Sequence, residues 1–165
     1  MAASSLKIEA RGEREIVMAW RFDAPPRLVF DALTKPELLK RWFGGPREWK
    51  LTFCDIDLRV GGAYRFVTTH DDGMEMGWGG IYREVAAPER LVFTEVFDNP
   101  WYPGEAIVTQ EFDEAGSATI FTTTILHTSR EARDAVLRSP MDKGVAESCR
   151  RLDEFLETAQ ASRQL

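Results

Sequence analysis

Between Glu48 and His127 the chain contains no segment with helical periodicity. It runs instead as short stretches rich in β-branched and aromatic residues: WKLTFCDIDL, AYRFVTTH, MEMGWGGIYREV, RLVFTEVF, EAIVTQEF and ATIFTTTILH. Gly61 and Gly62, Asp71-Asp72-Gly73, Pro88-Glu89, the loop DNPWYPG and the run from Asp113 to Ser117 divide them. Parallel neighbours need a crossover, usually a helix, whereas antiparallel ones need only a hairpin. The middle of the chain is therefore read as an antiparallel sheet, and a doubly wound parallel fold is excluded.

The flanks supply the helices. REIVMAWRF, from Arg14 to Phe22, is a further strand that stops at Asp23, Ala24 and two prolines. Pro25 and Pro26 open a helix with Asp23 as its cap, followed by Leu28, Val29, Ala32 and Leu33 at helical spacing. Thr34 with Glu37 reads as a capping box for a second short helix, whose stripe is Leu38, Leu39, Trp42 and Phe43 and which ends at Gly44. Near the other end, Thr128 with Glu131 is another capping box, and Ser139-Pro140 predicts a break. Beyond the break, Met141, Val145, Ser148, Leu152 and Phe155 fall on one helical face. The first residues, up to Gly12, and the last few read as tails.

These elements predict a single α+β domain over residues 1–165, with an ordered core of about 13–158. It has a curved antiparallel sheet of about six to seven strands around a long C-terminal helix, with two short helices after the first strand. A strongly twisted sheet curls, and a helix laid across its concave face leaves space that only large side chains or a ligand can fill.

Composition removes several function classes. The formal charge of −6 opposes a phosphate-backbone partner, because such binding needs clustered Lys and Arg, so no nucleic acid is expected. No apolar run approaches the roughly 20 residues of a membrane-spanning helix, so no integral membrane segment is expected. MAASSLKIEARGE lacks the apolar core of a secretory signal, which makes a cytoplasmic home the expectation. Cys54 and Cys149 lie far apart and read as inert thiols. There is no Gly-x-Ser-x-Gly elbow, no phosphate-cradling glycine loop and no metal-ligand spacing around His70 or His127, which read as solvated strand-end residues; no cofactor or metal is expected.

Four collinear segments, FDAPPRLVFDALTKPELLKRWFGGP, DLRVGGAYRF, GGIYREVAAPERLVFTE and MDKGVAESCRRLDEFL, resemble the START-like (SRPBCC) superfamily. Within it they resemble the branch of proteins similar to the activator of Hsp90 ATPase homolog. The resemblance implies a helix-grip fold whose last helix closes a hydrophobic cavity for a lipid, a polyketide or another apolar molecule. It also brings two other precedents, cyclases and a co-chaperone. Where many members have Trp-Trp in the second helix this chain has Trp42-Phe43, and where many have Gly-Trp in the last helix it has Gly144-Val145.

Alternation along each strand names the candidate cavity walls. They are Phe53, Tyr64, Phe66, Met76, Trp78 and Phe93, joined by Trp42 from the second helix, which the inferred fold sets beside the cavity rim, by Met141 and Val145 from the last helix, and by Trp101 and Tyr102 as a lid. Glu95, Gln110 and Thr122 share those faces as polar groups, and Thr124 follows the same alternation. A carboxylate turned into an apolar space is costly and its pKa rises, so Glu95 is an anchor for a ligand or a general acid or base. The leading expectation is a binding protein for a hydrophobic small molecule. The alternatives are a cyclase, dehydratase or hydrolase using Glu95, and a protein-interaction module or homodimer using the rings of NPWYPG.

Overall fold

The computed structural model describes residues 5–44, 47–99 and 104–163. Within them the chain forms β1 (Lys7–Arg11), β2 (Glu15–Phe22), α1 (Pro26–Thr34), α2 (Pro36–Trp42), β3 (Trp49–Ile56), β4 (Ala63–His70), β5 (Glu75–Ala86), β6 (Arg90–Phe97), β7 (Ala106–Ala115), β8 (Ala118–Leu126), α3 (Arg130–Arg138) and α4 (Met141–Arg163). The eight strands make one sheet in the order β1-β2-β8-β7-β6-β5-β4-β3, and every neighbouring pair is antiparallel. The sheet curves around α4, the helix-grip arrangement that the sequence resemblance implies.

The eighth strand is β1, which lies in the segment read from sequence as a tail. KIEAR pairs with β2 from Lys7↔Ala19 to Arg11↔Glu15, yet all five of its residues are exposed. A strand with water on both faces at a sheet edge carries no apolar alternation, so its sequence gives no periodic signal. At the far end α4 likewise continues to Arg163, past the expected end near Thr158.

The solid part of the core forms where α1, α2 and the C-terminal half of α4 meet the sheet. Phe22, Phe30, Leu39, Phe112, Leu152 and Leu156 are each at most 2% exposed. Phe30 meets Phe112 edge-on at 5.2 Å, and Phe112 meets Phe121 at 5.1 Å. Burial of such side chains contributes on the order of 2 kcal/mol each.

The helix starts differ in detail from the sequence reading. Pro25, not Asp23, is the residue before α1, and no side chain caps that helix. Thr34 is the last residue of α1, and its hydroxyl donates to the Phe30 carbonyl at 2.8 Å instead of capping α2. Lys35 precedes α2, where Pro36 makes a side-chain cap less necessary because its missing N–H removes one orphan donor. Ser129, one residue after Thr128, caps α3 by accepting from the Ala132 N–H at 3.0 Å. The break at Ser139-Pro140 stands, and α4 begins at Met141.

Candidate functional site: a cavity under the last helix

A cavity of about 500 Å³ lies between the concave face of the sheet and the N-terminal half of α4. Its floor comes from alternate residues of adjacent strands. Tyr64 and Phe66 stand on β4, Trp78 and Tyr82 on β5, Leu91, Phe93, Glu95 and Phe97 on β6, Val108 and Gln110 on β7, and Phe121, Thr123 and Ile125 on β8. Register explains why they converge: Phe66 pairs with Trp78, Trp78 with Phe97, Phe93 with Val108, and Val108 with Ile125. The roof is Met141, Gly144, Val145, Ser148, Cys149 and Leu152 of α4.

Trp42 and Phe43, at the end of α2, divide two tasks. Trp42 is 3% exposed, and its indole N–H donates to the Ala32 carbonyl at 3.0 Å, which locks α2 onto α1. Phe43 leaves the helix and stacks on Phe66 at 5.6 Å and on Trp78 at 5.9 Å, so it forms cavity wall. Gly44 then takes φ +153, a conformation that favours glycine, and a Cβ there would stand 2.6 Å from the Trp49 carbonyl.

Of the candidate residues named from sequence, Trp42, Tyr64, Phe66, Met76, Trp78, Phe93, Glu95, Gln110, Met141 and Val145 all line the cavity. Met76 is 42% exposed and belongs to its rim. Phe53 does not line it and is 50% exposed. The register of β3 shifts between Leu51 and Phe53, and one extra residue reverses inside and outside, which leaves Leu51 buried and turns Phe53 to the convex face. Thr122 faces the other side as well: β8 turns Phe121, Thr123 and Ile125 inward, with Thr123 opposite Gln110. ATIFTTTIL holds apolar residues at both parities, so alternation alone did not fix its face. The proposed lid, Trp101 and Tyr102, lies outside the described residues.

Several lining residues were not singled out from sequence. Tyr82 and Phe97 simply extend the alternation that named Trp78 and Phe93, and Met18 and Phe22 follow from EIVMAWRF, whose buried residues alternate. Gly144 carried no signal. It lines the roof, and a Cβ placed on it would meet nothing within 4 Å.

Glu95 is the only charged side chain among the described residues that line the cavity. No hydrogen bond or ion pair among the described residues holds its carboxyl, and burial pushes its pKa up to about 7. The thiols are similarly displaced, Cys54 to about 11 and Cys149 to about 12 by burial, which keeps both protonated and unreactive near neutral pH. His127, expected to be solvated, is instead 2% exposed, and burial together with Arg133 lowers its pKa. It does not line the cavity.

A second carboxylate works structurally. Asp153 on α4 accepts from the Trp20 indole N–H at 3.0 Å, while burial lifts its pKa to about 6. Other ties join the same half of the helix to the body. Arg47 pairs with Glu154 at 2.8 Å, the Arg41 guanidinium lies 5.0 Å from the centre of the Phe155 ring, and Gln160 donates to the Asp23 carbonyl at 2.8 Å.

A curved antiparallel sheet gripping one long helix over an apolar cavity defines the helix-grip class of the START-like superfamily. The chain belongs to the family of activator of Hsp90 ATPase homolog 1-like proteins, whose profile matches residues 23–157. It is similar to a crystallised protein from Rhodobacter sphaeroides, with 30% identity and a TM-score of 0.88 over 93% of this chain and 99% of that one. A crystallised protein from Nitrosomonas europaea shares 26% identity and a TM-score of 0.80, over 92% of this chain and 99% of that one. CalU16 from Micromonospora echinospora, at 22% identity and a TM-score of 0.62, shares the fold over 98% of this chain and 91% of its own. No curated protein matches the sequence. Among the described residues, no helix is long and apolar enough to cross a membrane.

Proposed function

We propose that the protein binds an apolar small molecule in the cavity under α4. The observation that carries this reading is the combination of a preformed space of about 500 Å³ with an almost wholly apolar, largely aromatic lining. That volume lies within the roughly 300–1,000 Å³ usual for small-molecule sites, which are likewise apolar with a few placed polar groups. Here Thr68, Glu95, Gln110, Thr123 and Ser148 supply those groups. Removal of apolar surface from water drives binding, at about 25 cal/mol per Å² before the costs of association. The family membership supports the same reading, since the helix-grip arrangement leaves its concavity unfilled wherever the gripping helix carries small residues, as at Gly144 and Ser148.

The test is titration with N-phenyl-1-naphthylamine, a neutral dye whose emission rises in apolar surroundings. Wild type is expected to bind it saturably at one site. Gly144→Trp, which places a large ring into open space on the roof, is expected to abolish that binding while keeping a cooperative unfolding transition. Saturable binding that is identical in the variant removes the cavity as the site.

A further inference from the structure

The floor of the cavity has one feature that plain apolar binding does not use. Glu95 sits on β6 between Phe93 and Phe97, which share its face. On β5 the register pairs Trp78 with Phe97 and Tyr82 with Phe93, which leaves Gly80 between them at the level of Glu95. On the other flank Glu95 pairs with Ala106. The carboxyl thus has residues of minimal size on both sides and rings at both ends: Trp78 and Phe97 with centroids 5.6 Å apart, Tyr82 and Phe93 at 5.9 Å, and Tyr64 against Phe93 at 5.3 Å. Gly80 is required for this layout, because a Cβ there would collide with the Thr94 carbonyl.

No Lys, Arg, His or second carboxylate lines the cavity among the described residues. An ionised carboxylate in such a place has given up water and gained no partner, while the surrounding ring faces carry negative potential. Both features repel an anion. Both attract a cation, which gains a counter-ion and several ring faces at once in a space where screening is weak. We propose that the cavity's ligand is a cationic amphiphile, an apolar body bearing one ammonium group, and that Glu95 is the counter-ion of that group. This rests on the small-molecule reading above and narrows it to a ligand class.

The titration of Glu95 follows from the same surroundings. The other titratable side chains that line the cavity among the described residues are the Tyr64 and Tyr82 phenols, the latter held protonated by burial, and the Cys149 thiol, at about 12. Nothing there carries charge near neutral pH. An ammonium entering the site therefore favours the ionised carboxylate and lowers its titration midpoint from about 7, whereas a neutral ligand, which displaces only water, raises it.

The test uses decylamine, decanol and decanoate, which share one chain, as competitors of bound N-phenyl-1-naphthylamine near pH 8. Decylamine is expected to bind at least about ten-fold more tightly than decanol, with decanoate weakest. In Glu95→Gln the advantage of the amine over the alcohol should fall below about three-fold, with decanol affinity retained as the control for an intact cavity. Carbon-13 NMR of the Glu95 carboxyl in wild type needs no variant and should show its midpoint falling with decylamine and not with decanol. Decanoate binding as well as decylamine, an advantage that survives Glu95→Gln, or an unmoved midpoint overturns the cationic-ligand proposal and leaves the cavity reading standing. Failure of all three compounds to displace the dye overturns both.

Discussion

The two halves of α4 share one helix and behave as different structures. Cys149 and Leu152 are buried where the roof ends, and beyond them the inward residues are core: Leu156 is 2% exposed and Phe155 is 9% exposed. The long-range ties at Asp153, Glu154, Phe155 and Gln160 all belong to this half. From Met141 to Ser148 no residue is fully buried; Met141, Gly144, Val145 and Ser148 roof the cavity, and Gly144 touches nothing with the side chain it lacks. Cohesion and binding are thus assigned largely to separate turns, which meet at Cys149 and Leu152. The C-terminal turns hold the helix against the sheet, so the N-terminal turns can stand off it without the fold being lost.

The largest expected effect lies in the anchored half. Leu156→Ala should destabilise the protein by about 3–4 kcal/mol, because Leu156 is 2% exposed and does not line the cavity, so its loss opens a void in packed core, whereas Val145→Ala, which only widens a space already present, should cost under about 1 kcal/mol. Denaturant unfolding of both variants checks the contrast, and equal losses would break it.

Next comes the carboxylate under the roof. Its raised pKa means the folded state binds a proton more tightly than the unfolded chain. The stability it contributes is therefore complete below about pH 4.5, its ordinary value, and is lost as pH rises through about 7. Asp153, lifted to about 6, acts with the same sign. Glu95→Gln should accordingly be more stable than wild type near pH 8 by about 2–3 kcal/mol, with the difference vanishing near pH 4.5, as read from unfolding at both pH values. A pH-independent difference would mean that Glu95 does not sit in the apolar space described.

Trp20→Phe removes the donor to Asp153 and loosens the anchored half, at an expected cost of about 1–2 kcal/mol in the same assay. The smallest effect is Gly144→Ala. It adds a methyl where there is room and removes a helix-interior glycine, so it should stabilise by about 0.5–1 kcal/mol. Destabilisation there would show that the roof is packed, not open.

How far the sequence alone reaches depends on burial. Strands with one wet and one dry face, such as EIVMAWRF and the Phe93-Glu95-Phe97 run, declare their inward residues by alternation, and Glu95 and Gln110 were legible for that reason. The face of β8 was not, because Ile120 and Phe121 are both apolar and the three threonines fit either side. Phe53 was misplaced by a bulge, a backbone event that depends on how β3 meets β4. β1 was invisible because no core selects its residues. The emptiness above Gly144 is a property of the distance between helix and sheet, which no local pattern encodes.

The most direct test of the two-regime account is amide hydrogen exchange along α4, measured without and with saturating N-phenyl-1-naphthylamine. Amides of the C-terminal half should be strongly protected in both states. Those from Met141 to Ser148 should exchange faster in the free protein and gain protection with the dye, together with the strands that carry Phe93 and Thr123. Equal protection of both halves in the free protein, or a gain on binding confined to residues outside the cavity, would contradict it.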